Sequence, residues 1–420
     1  MELKKITLAI LCTGIFTQPV KANELSDLKA QLQVMQQQIQ IMQSKLSTQD
    51  IALKKQEQVS SELKYQQSSD NQSDDLNLAG KIAHSITVGG VIEVVANNTD
   101  SDGWSGQSAS NIVLDTFELG IDASAGNWVS ASVLLLYEDA SDDNLNVDET
   151  FITIANSDVT PFYLSAGRLY VPFGNFESNM ISDPATLTLG ETREDIVQVG
   201  FETEGGFYGS TYIFNGDTDE AKSGYSSVDN NLIDNYGLNF GYAMEKDNFG
   251  LDVGLGYINN IGTSDTLQDS IDSNGLCAGN GCIMDYVDGL SLHAVATFGQ
   301  FNLIGEYVAA LESFAADELS SVNNKKLKPK AWNIEGAYNF EIAGKDTTLA
   351  LGYQKTKDML LDDTTTDYFE KAWLLNISIG ILDQTTLAAE WRHADSYNEV
   401  KNVSGNGVED LLQIKLSYEF

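Results

Sequence analysis

From about residue 84 to the end, apolar positions alternate with small or polar ones at a period of two. That is the spacing of a strand with one face against an apolar medium. Phe249, Leu251, Val253, Leu255 and Tyr257 alternate with Gly250, Asp252, Gly254 and Gly256. Tyr236, Leu238, Phe240, Tyr242 and Met244 alternate in the same way with Gly237, Asn239, Gly241 and Ala243. The pattern recurs at Trp332/Ile334/Gly336/Tyr338/Phe340, at Trp373/Leu375/Ile377/Ile379 and at Leu412/Ile414/Leu416/Tyr418/Phe420. Sixteen strands are predicted, at roughly 85–97, 111–123, 127–138, 145–156, 162–170, 196–204, 206–215, 235–245, 248–259, 285–298, 300–311, 330–341, 345–356, 368–381, 384–394 and 409–420.

The connections alternate in length. Short turns fall at Ala125-Gly126, Asn156 to Pro161, Glu204-Gly205, Glu245 to Asn248, Gly299-Gln300, Ile342 to Lys345 and Leu382-Asp383. Long loops fall near 98–110, 171–195, 216–234, 260–284, 312–329, 357–367 and 395–408, with a modest one at 139–144. An even strand count, dyad segments and alternating loop lengths predict an all-β, 16-stranded antiparallel transmembrane β-barrel over 84–420. Lipid admits only backbones whose polar groups are all paired, so these strands should close on themselves. The five prolines avoid strand interiors, as ladder hydrogen bonding requires. The last strand, ending Leu-Ser-Tyr-Glu-Phe, is expected to pair with the first.

Upstream the period changes. Leu25, Leu28, Leu32, Met35, Ile39, Met42 and Leu46 follow steps of three and four, with Leu53 in register. This heptad seam predicts an N-terminal α-helical coiled coil over 23–64, whose ~33-residue seam extends ~50 Å at 1.5 Å per residue, and favours a homo-oligomer, a trimer by analogy with porins. A polar stretch over 65–83 reads as a linker. Lys4 and Lys5, an apolar run from Ile6 to Phe16, and Val20-Lys21-Ala22 describe a secretory signal over 1–22. Export places the barrel in the outer membrane of a Gram-negative bacterium, with the coiled coil in the periplasm. In that oxidising compartment Cys277 and Cys282, spaced by Ala-Gly-Asn-Gly, are expected to form a disulfide.

Composition then narrows the chemistry. The 420 residues carry 24 Lys+Arg against 61 Asp+Glu, a formal charge of −37. So acidic a chain is not a nucleic-acid binder. The only histidines are His84, His293 and His393, none in a metal-ligand spacing, so no enzyme, metal site or cofactor is expected. Only about twenty residues separate the coiled coil from the first strand, too few for a plug. A plug-less sixteen-stranded barrel implies an aqueous lumen and passive passage.

The non-aromatic parity assigns Glu93, Glu118, Glu202, Asp252, Glu306, Glu335 and Glu390 to the lumen wall, against Arg392 and Lys415. Arg168 is grouped with them at ambiguous parity, because Leu164 and Ala166 share it. The long loop at 171–195 is unusually apolar and is expected to fold inward. Glu177, Asp183, Glu191, Arg193 and Glu194 would then set the polarity of the constriction. Together these residues predict a cation-leaning pore. A basic patch, Lys325, Lys326, Lys328 and Lys330, suits either an anionic solute or the phosphates of lipopolysaccharide.

Several segments resemble a known family, the legiobactin-receptor (LbtU) family of siderophore porins. They are Ala131-Ser-Val-Leu-Leu-Leu-Tyr-Glu, Phe162-Tyr-Leu-Ser-Ala-Gly-Arg-Leu-Tyr-Val-Pro-Phe-Gly-Asn-Phe-Glu, Ser182-Asp-Pro, Leu189-Gly-Glu-Thr-Arg-Glu, Gly256-Tyr-Ile-Asn-Asn and Leu303-Ile-Gly-Glu-Tyr-Val. The resemblance implies a plug-less outer-membrane barrel that takes up a ferric siderophore. The acidic lumen taken alone predicts a general or cation-selective diffusion porin. A structural or adhesive barrel would instead show no conductance.

Overall fold

The computed structural model describes residues 86–102, 108–139, 144–222, 227–228, 232–273, 282–316, 318–319, 326–359, 369–397 and 407–420. The chain divides into two units, Met1–Ser47 and Thr48–Phe420, and all described residues belong to the second. The signal, coiled coil and linker expected over 1–83 lie outside the described residues, as do Lys325 and Cys277.

Sixteen antiparallel strands close into one barrel. They are β1 (Ile86–Asp102), β2 (Ala109–Ala125), β3 (Val129–Glu138), β4 (Asn146–Ala155), β5 (Phe162–Tyr170), β6 (Arg193–Glu202), β7 (Phe207–Phe214) and β8 (Asn235–Lys246). They continue with β9 (Phe249–Ile258), β10 (Gly289–Phe298), β11 (Phe301–Ala310), β12 (Lys330–Ile342), β13 (Lys345–Lys357), β14 (Lys371–Leu382), β15 (Thr385–Asp395) and β16 (Val408–Glu419). Each strand pairs with its sequence neighbours, and β16 returns to β1, setting Tyr418 beside Ile92. Gly90 and Phe420 exchange two backbone bonds of 3.0 Å, so the terminal aromatic residue completes the seam. Short turns gather at one end and long loops at the other; in bacterial barrels these ends face the periplasm and the exterior. The tight turn at Ala343-Gly344 takes positive φ at both residues, 53° and 75°, matching the twist of its flanking strands.

Alternation sorts the side chains as the period of two requires. On β16, Leu412, Ile414, Leu416 and Tyr418 stay exposed on the outer wall, while Glu306, Glu335 and Glu390 of other strands are buried inside. Ring contacts band the outside at two levels. Phe162–Phe201, Phe298–Phe301 and Phe301–Tyr338 lie near the turns, at 6.4, 5.5 and 5.0 Å between centroids. Tyr236–Tyr257, Tyr307–Trp332 and Tyr353–Trp373 lie near the loops, at 6.4, 5.1 and 4.7 Å. Two aromatic girdles around an apolar band are what a membrane interface selects. Not every ring faces out. Tyr163, Tyr208 and Tyr212 turn inward across Gly200, Gly241 and Gly237, where a Cβ would meet each ring within 2.2–2.3 Å.

Two features depart from the sequence expectation. β1 and β2 run 17 residues each, so the loop expected near 98–110 shrinks to the few residues between Asp102 and Ala109. Register shifts between Glu93 and Val94, and between Leu134 and Leu135, insert one residue into β2 and one into β4. Each bulge reverses the in–out parity beyond it.

The loop end is a folded cap. Helix α1 (Ala185–Gly190) lies in the loop between β5 and β6, and α2 (Asp265–Ser273) in the loop between β9 and β10. Leu189, Ile261, Leu267, Ile271, Ile283 and Phe314 are fully buried in one cluster that includes Phe173 and reaches inner-wall residues such as Phe214. Each such side chain contributes about 1.5–3 kcal/mol. A small sheet of Asp219–Lys222, Ser227–Val228 and Cys282–Ile283 joins two of the loops. Cys282 is disulfide-bonded.

Candidate channel constriction

The loop between β5 and β6, residues 171–192, folds into the barrel and lies along its inner wall. Polar side chains of six consecutive strands hold it, and Asn302 of β11 adds a further bond by accepting from Asn179 Nδ2 at 2.9 Å. On β10, Ser291 Oγ donates to the Phe173 carbonyl. On β11, Glu306 accepts from the backbone N–H groups of Asn175 (2.8 Å) and Phe176 (3.2 Å) and from Thr186 Oγ1 (2.7 Å). On β12, Glu335 accepts from Ser178 Oγ (2.7 Å), Asn179 N (2.6 Å) and Asn179 Nδ2 (3.2 Å). On β13, Gln354 Oε1 accepts from Ala185 N at 3.2 Å, and on β14, Asn376 Nδ2 donates to the Asn179 carbonyl at 2.7 Å. On β15, Glu390 accepts from the N–H groups of Ile181 and Ser182 and from Ser182 Oγ at 2.6 Å.

A loop lacks a ladder for its own amides, and amides removed from water need acceptors. The wall carboxylates are those acceptors, in charge-assisted bonds stronger than neutral ones. Phe176 takes φ 56°, a strained conformation for a bulky side chain, and its ring packs beneath Gly174 and Gly190. The Glu306 bond to its N–H holds that strain in place.

The residues expected at the constriction separate into three groups. Asp183 lies at the far tip of the loop, within electrostatic reach of Asp115 on β2. Glu177 is tucked behind the loop, where the charges of Asp252, His293 and Glu306 reach it. One of its oxygens is buried without a hydrogen-bond partner, and burial raises its pKa to about 7. Near it Tyr208 Oη donates to Asp252 at 2.8 Å and lies 3.2 Å from His293 Nε2. Glu191, Arg193 and Glu194 belong to the loop's base under the cap instead. Arg193 pairs with the buried Asp148, Glu194 accepts from Thr263 Oγ1 at 3.0 Å, and the Glu191 carbonyl accepts from Asp265 N at 3.0 Å. Burial raises the Asp265 pKa to about 6 in that network.

The lumen-wall residues separate as well. Glu306, Glu335 and Glu390 are buried anchors rather than solvated wall. Glu93, on the inner wall, pairs with Lys415 at 3.0 Å, and Arg392 with the buried Glu409 at 2.8 Å, so both expected cations are neutralised. Glu118 and Glu202 lie on inward register positions of β2 and β6, beside Val91 and Tyr208. Arg168 lies on the outer face: it registers with the exposed Thr150 and Asp195, shares the exposed parity of Phe162 and Leu164, and bonds Asp195 at 3.1 Å. Of the basic patch, Lys326 is exposed, Lys328 Nζ donates to the Leu311 carbonyl at 2.5 Å, and Lys330 belongs to the outer face of β12. Among the described residues no three His, Cys, Asp or Glu side chains converge as a metal site needs.

Asp115 was missed by the strict alternation because it is the bulged residue of β2. The signal is present in the sequence. Ile112 and Leu114 carry the apolar parity before it, and Phe117, Leu119 and Ile121 the opposite parity after it. Glu93, Asp139, Asp183 and Lys415 all act electrostatically on Asp115, so four carboxylates gather near the loop tip against one ammonium.

No family model matches the chain. It is similar to the UPF0422 protein lpl2888 of Legionella pneumophila, at 26% identity over 357 residues, 81% of this chain and 62% of that protein. A UPF0422 protein of Coxiella burnetii is 27% identical over 300 residues, 70% of this chain and 61% of that one. The chain thus spans a little over three fifths of the length of these curated relatives. Among solved structures, OprB of Pseudomonas putida superposes with a TM-score of 0.56 at 9% identity, covering 82% of this chain and 96% of that one. An anion-selective porin from Comamonas acidovorans gives 0.52 at 13% identity, covering 80% and 99%. The fold is that of a porin. Such low identities carry the likeness no further than the fold.

Proposed function

We propose that this chain is a passive, cation-leaning channel of the outer membrane, with the tip of the 171–192 loop as its constriction. The observation that carries the reading is the cluster of four carboxylates and one ammonium around Asp115, next to the loop tip. Rings and clusters of one sign in a pore concentrate counter-ions and repel co-ions. The resemblance over 162–194 to siderophore porins extends the reading to uptake of a ferric siderophore. An acidic cluster suits a ferric complex without net negative charge. Glu177, packed behind the loop, contributes through the loop's position rather than by contact with solute.

The outer faces of β1–β4 support a second copy of the chain as partner. Phe117 and Tyr137 are the only outward aromatic residues in those four strands, whereas β5–β16 carry the two girdles. A sector so sparse in aromatic anchors, with only Trp128 added at the turn before β3, suits a subunit contact, trimeric by analogy with porins. Reversal potentials across planar bilayers test the channel, and import of ferric siderophore by a deletion strain tests the ligand. Unchanged import would remove the siderophore and leave the channel standing. A clear anion preference would remove the cation-leaning reading itself.

A further inference from the structure

The outer wall carries a concentrated cationic site in an otherwise acidic chain. Lys330 of β12 stands directly opposite Lys357 of β13, and Lys355 of β13 directly opposite Lys371 of β14. All four occupy outward parity, shared with Trp332, Tyr353 and Trp373 on the same strands. Like charges directly opposite each other in an antiparallel pair are destabilising. Two such pairs on three adjacent strands, in a chain of net charge −37, call for an anion from outside the protein.

Other cations on the outer wall, near this site and far from it, are matched. Arg168 pairs with Asp195 at 3.1 Å, His393 with Asp410 at 2.9 Å, and Lys371 itself with Asp395 at 3.2 Å. Among the described residues Lys330, Lys355 and Lys357 have no carboxylate partner. Depth identifies the anion. The lysines lie on the loop side of the aromatic row Tyr307–Trp332 and Tyr353–Trp373, which marks the headgroup level of the outer leaflet. Trp332 registers beside Lys355, so ring and ammonium present one surface, apolar below and cationic above.

We infer that Lys330, Lys355, Lys357 and Lys371 form a site on the outer face of β12–β14 for the phosphate groups of a phosphorylated outer-leaflet glycolipid. The acyl chains of that lipid would lie along the apolar band beneath Trp332 and Trp373. The aqueous lumen is not involved, so the site is independent of what the channel carries.

The test is native mass spectrometry of the full chain in detergent, titrated with diphosphoryl lipid A, with the same lipid stripped of both phosphates, and with inorganic phosphate. The K330Q/K355Q/K357Q variant is compared with K345Q, whose lysine lies at the turn end of the barrel. Retention of the unboiled, compact gel mobility shows that each variant is folded. The expected result is at least tenfold weaker binding of diphosphoryl lipid A by the triple variant, no change in K345Q, and comparably weak binding of the stripped lipid by the wild type. Equal binding by wild type and triple variant would overturn the site. So would equal binding of the two lipids, which would assign retention to the acyl chains alone. Inorganic phosphate matching the lipid would overturn the assignment to a membrane lipid.

Discussion

Replacing Glu335 by glutamine tests whether the wall carboxylates hold the 171–192 loop. Glutamine keeps the volume of this buried side chain and one acceptor oxygen, which can stay with Ser178. It turns an amide toward Asn179 N and Asn179 Nδ2, which donate to the carboxylate at 2.6 and 3.2 Å in the native protein. Two hydrogen bonds to a charged acceptor, at about 1.5–3 kcal/mol each, amount to about 3–6 kcal/mol. At about 1.4 kcal/mol per tenfold, the local opening equilibrium of the loop shifts by roughly 10²–10⁴. Amide hydrogen exchange reads that equilibrium directly. Peptides covering 175–182 should exchange faster by that factor, while strand peptides from β13 to β16 stay protected, and single-channel conductance should rise as the loop leaves the wall. Exchange within threefold of wild type, with unchanged conductance, would refute the anchoring.

Three further outcomes are expected. Asp115→Asn combined with Asp183→Asn should move the reversal potential in a salt gradient toward zero, because two of the four carboxylates near the loop tip become neutral. Gly256→Ala places a Cβ 2.1 Å from the Phe173 carbonyl oxygen, so the loop's first turn must shift; overpacking of this kind costs about 1–3 kcal/mol and should lower the temperature at which the barrel loses its compact gel mobility. The Glu177 pKa is raised, by burial first and then by Asp252, so its contribution is full at low pH and is lost as pH rises through about 7. Between about pH 4.5 and 7 the loop should therefore loosen in the wild type and not in Glu177→Gln, as measured by exchange corrected for intrinsic base catalysis.

The barrel was legible because a strand between lipid and water has a strict period of two. Leu412 through Phe420 and Phe249 through Tyr257 show that parity without interruption, and β9 and β16 carry it outward as expected. Parity states which face a residue occupies but not what fills the space in front of it. Glu306, Glu335 and Glu390 lie on the inner face as expected, yet they meet backbone amides rather than water. Their partners are far away in sequence, and local pattern carries no trace of them. Arg168 and Asp115 failed for a more local reason: next to Leu164 and Ala166 one charge was too little to set a face, and a one-residue bulge reversed the face of the other. Tyr208 and Tyr212 turn inward because Gly241 and Gly237 on the adjacent strand leave room, a cross-strand relation that single-strand alternation does not contain. The lysines of β12–β14 were only partly visible, since Lys330 read as the end of a loop patch rather than as a partner of Lys357.

The most direct test of an acidic cluster at the loop tip is the reversal potential of single channels in a planar bilayer under a tenfold salt gradient. Potassium should be preferred over chloride, and neutralising Asp115 and Asp183 should erode that preference. Chloride preference in the wild type, or no conductance at all, would contradict it.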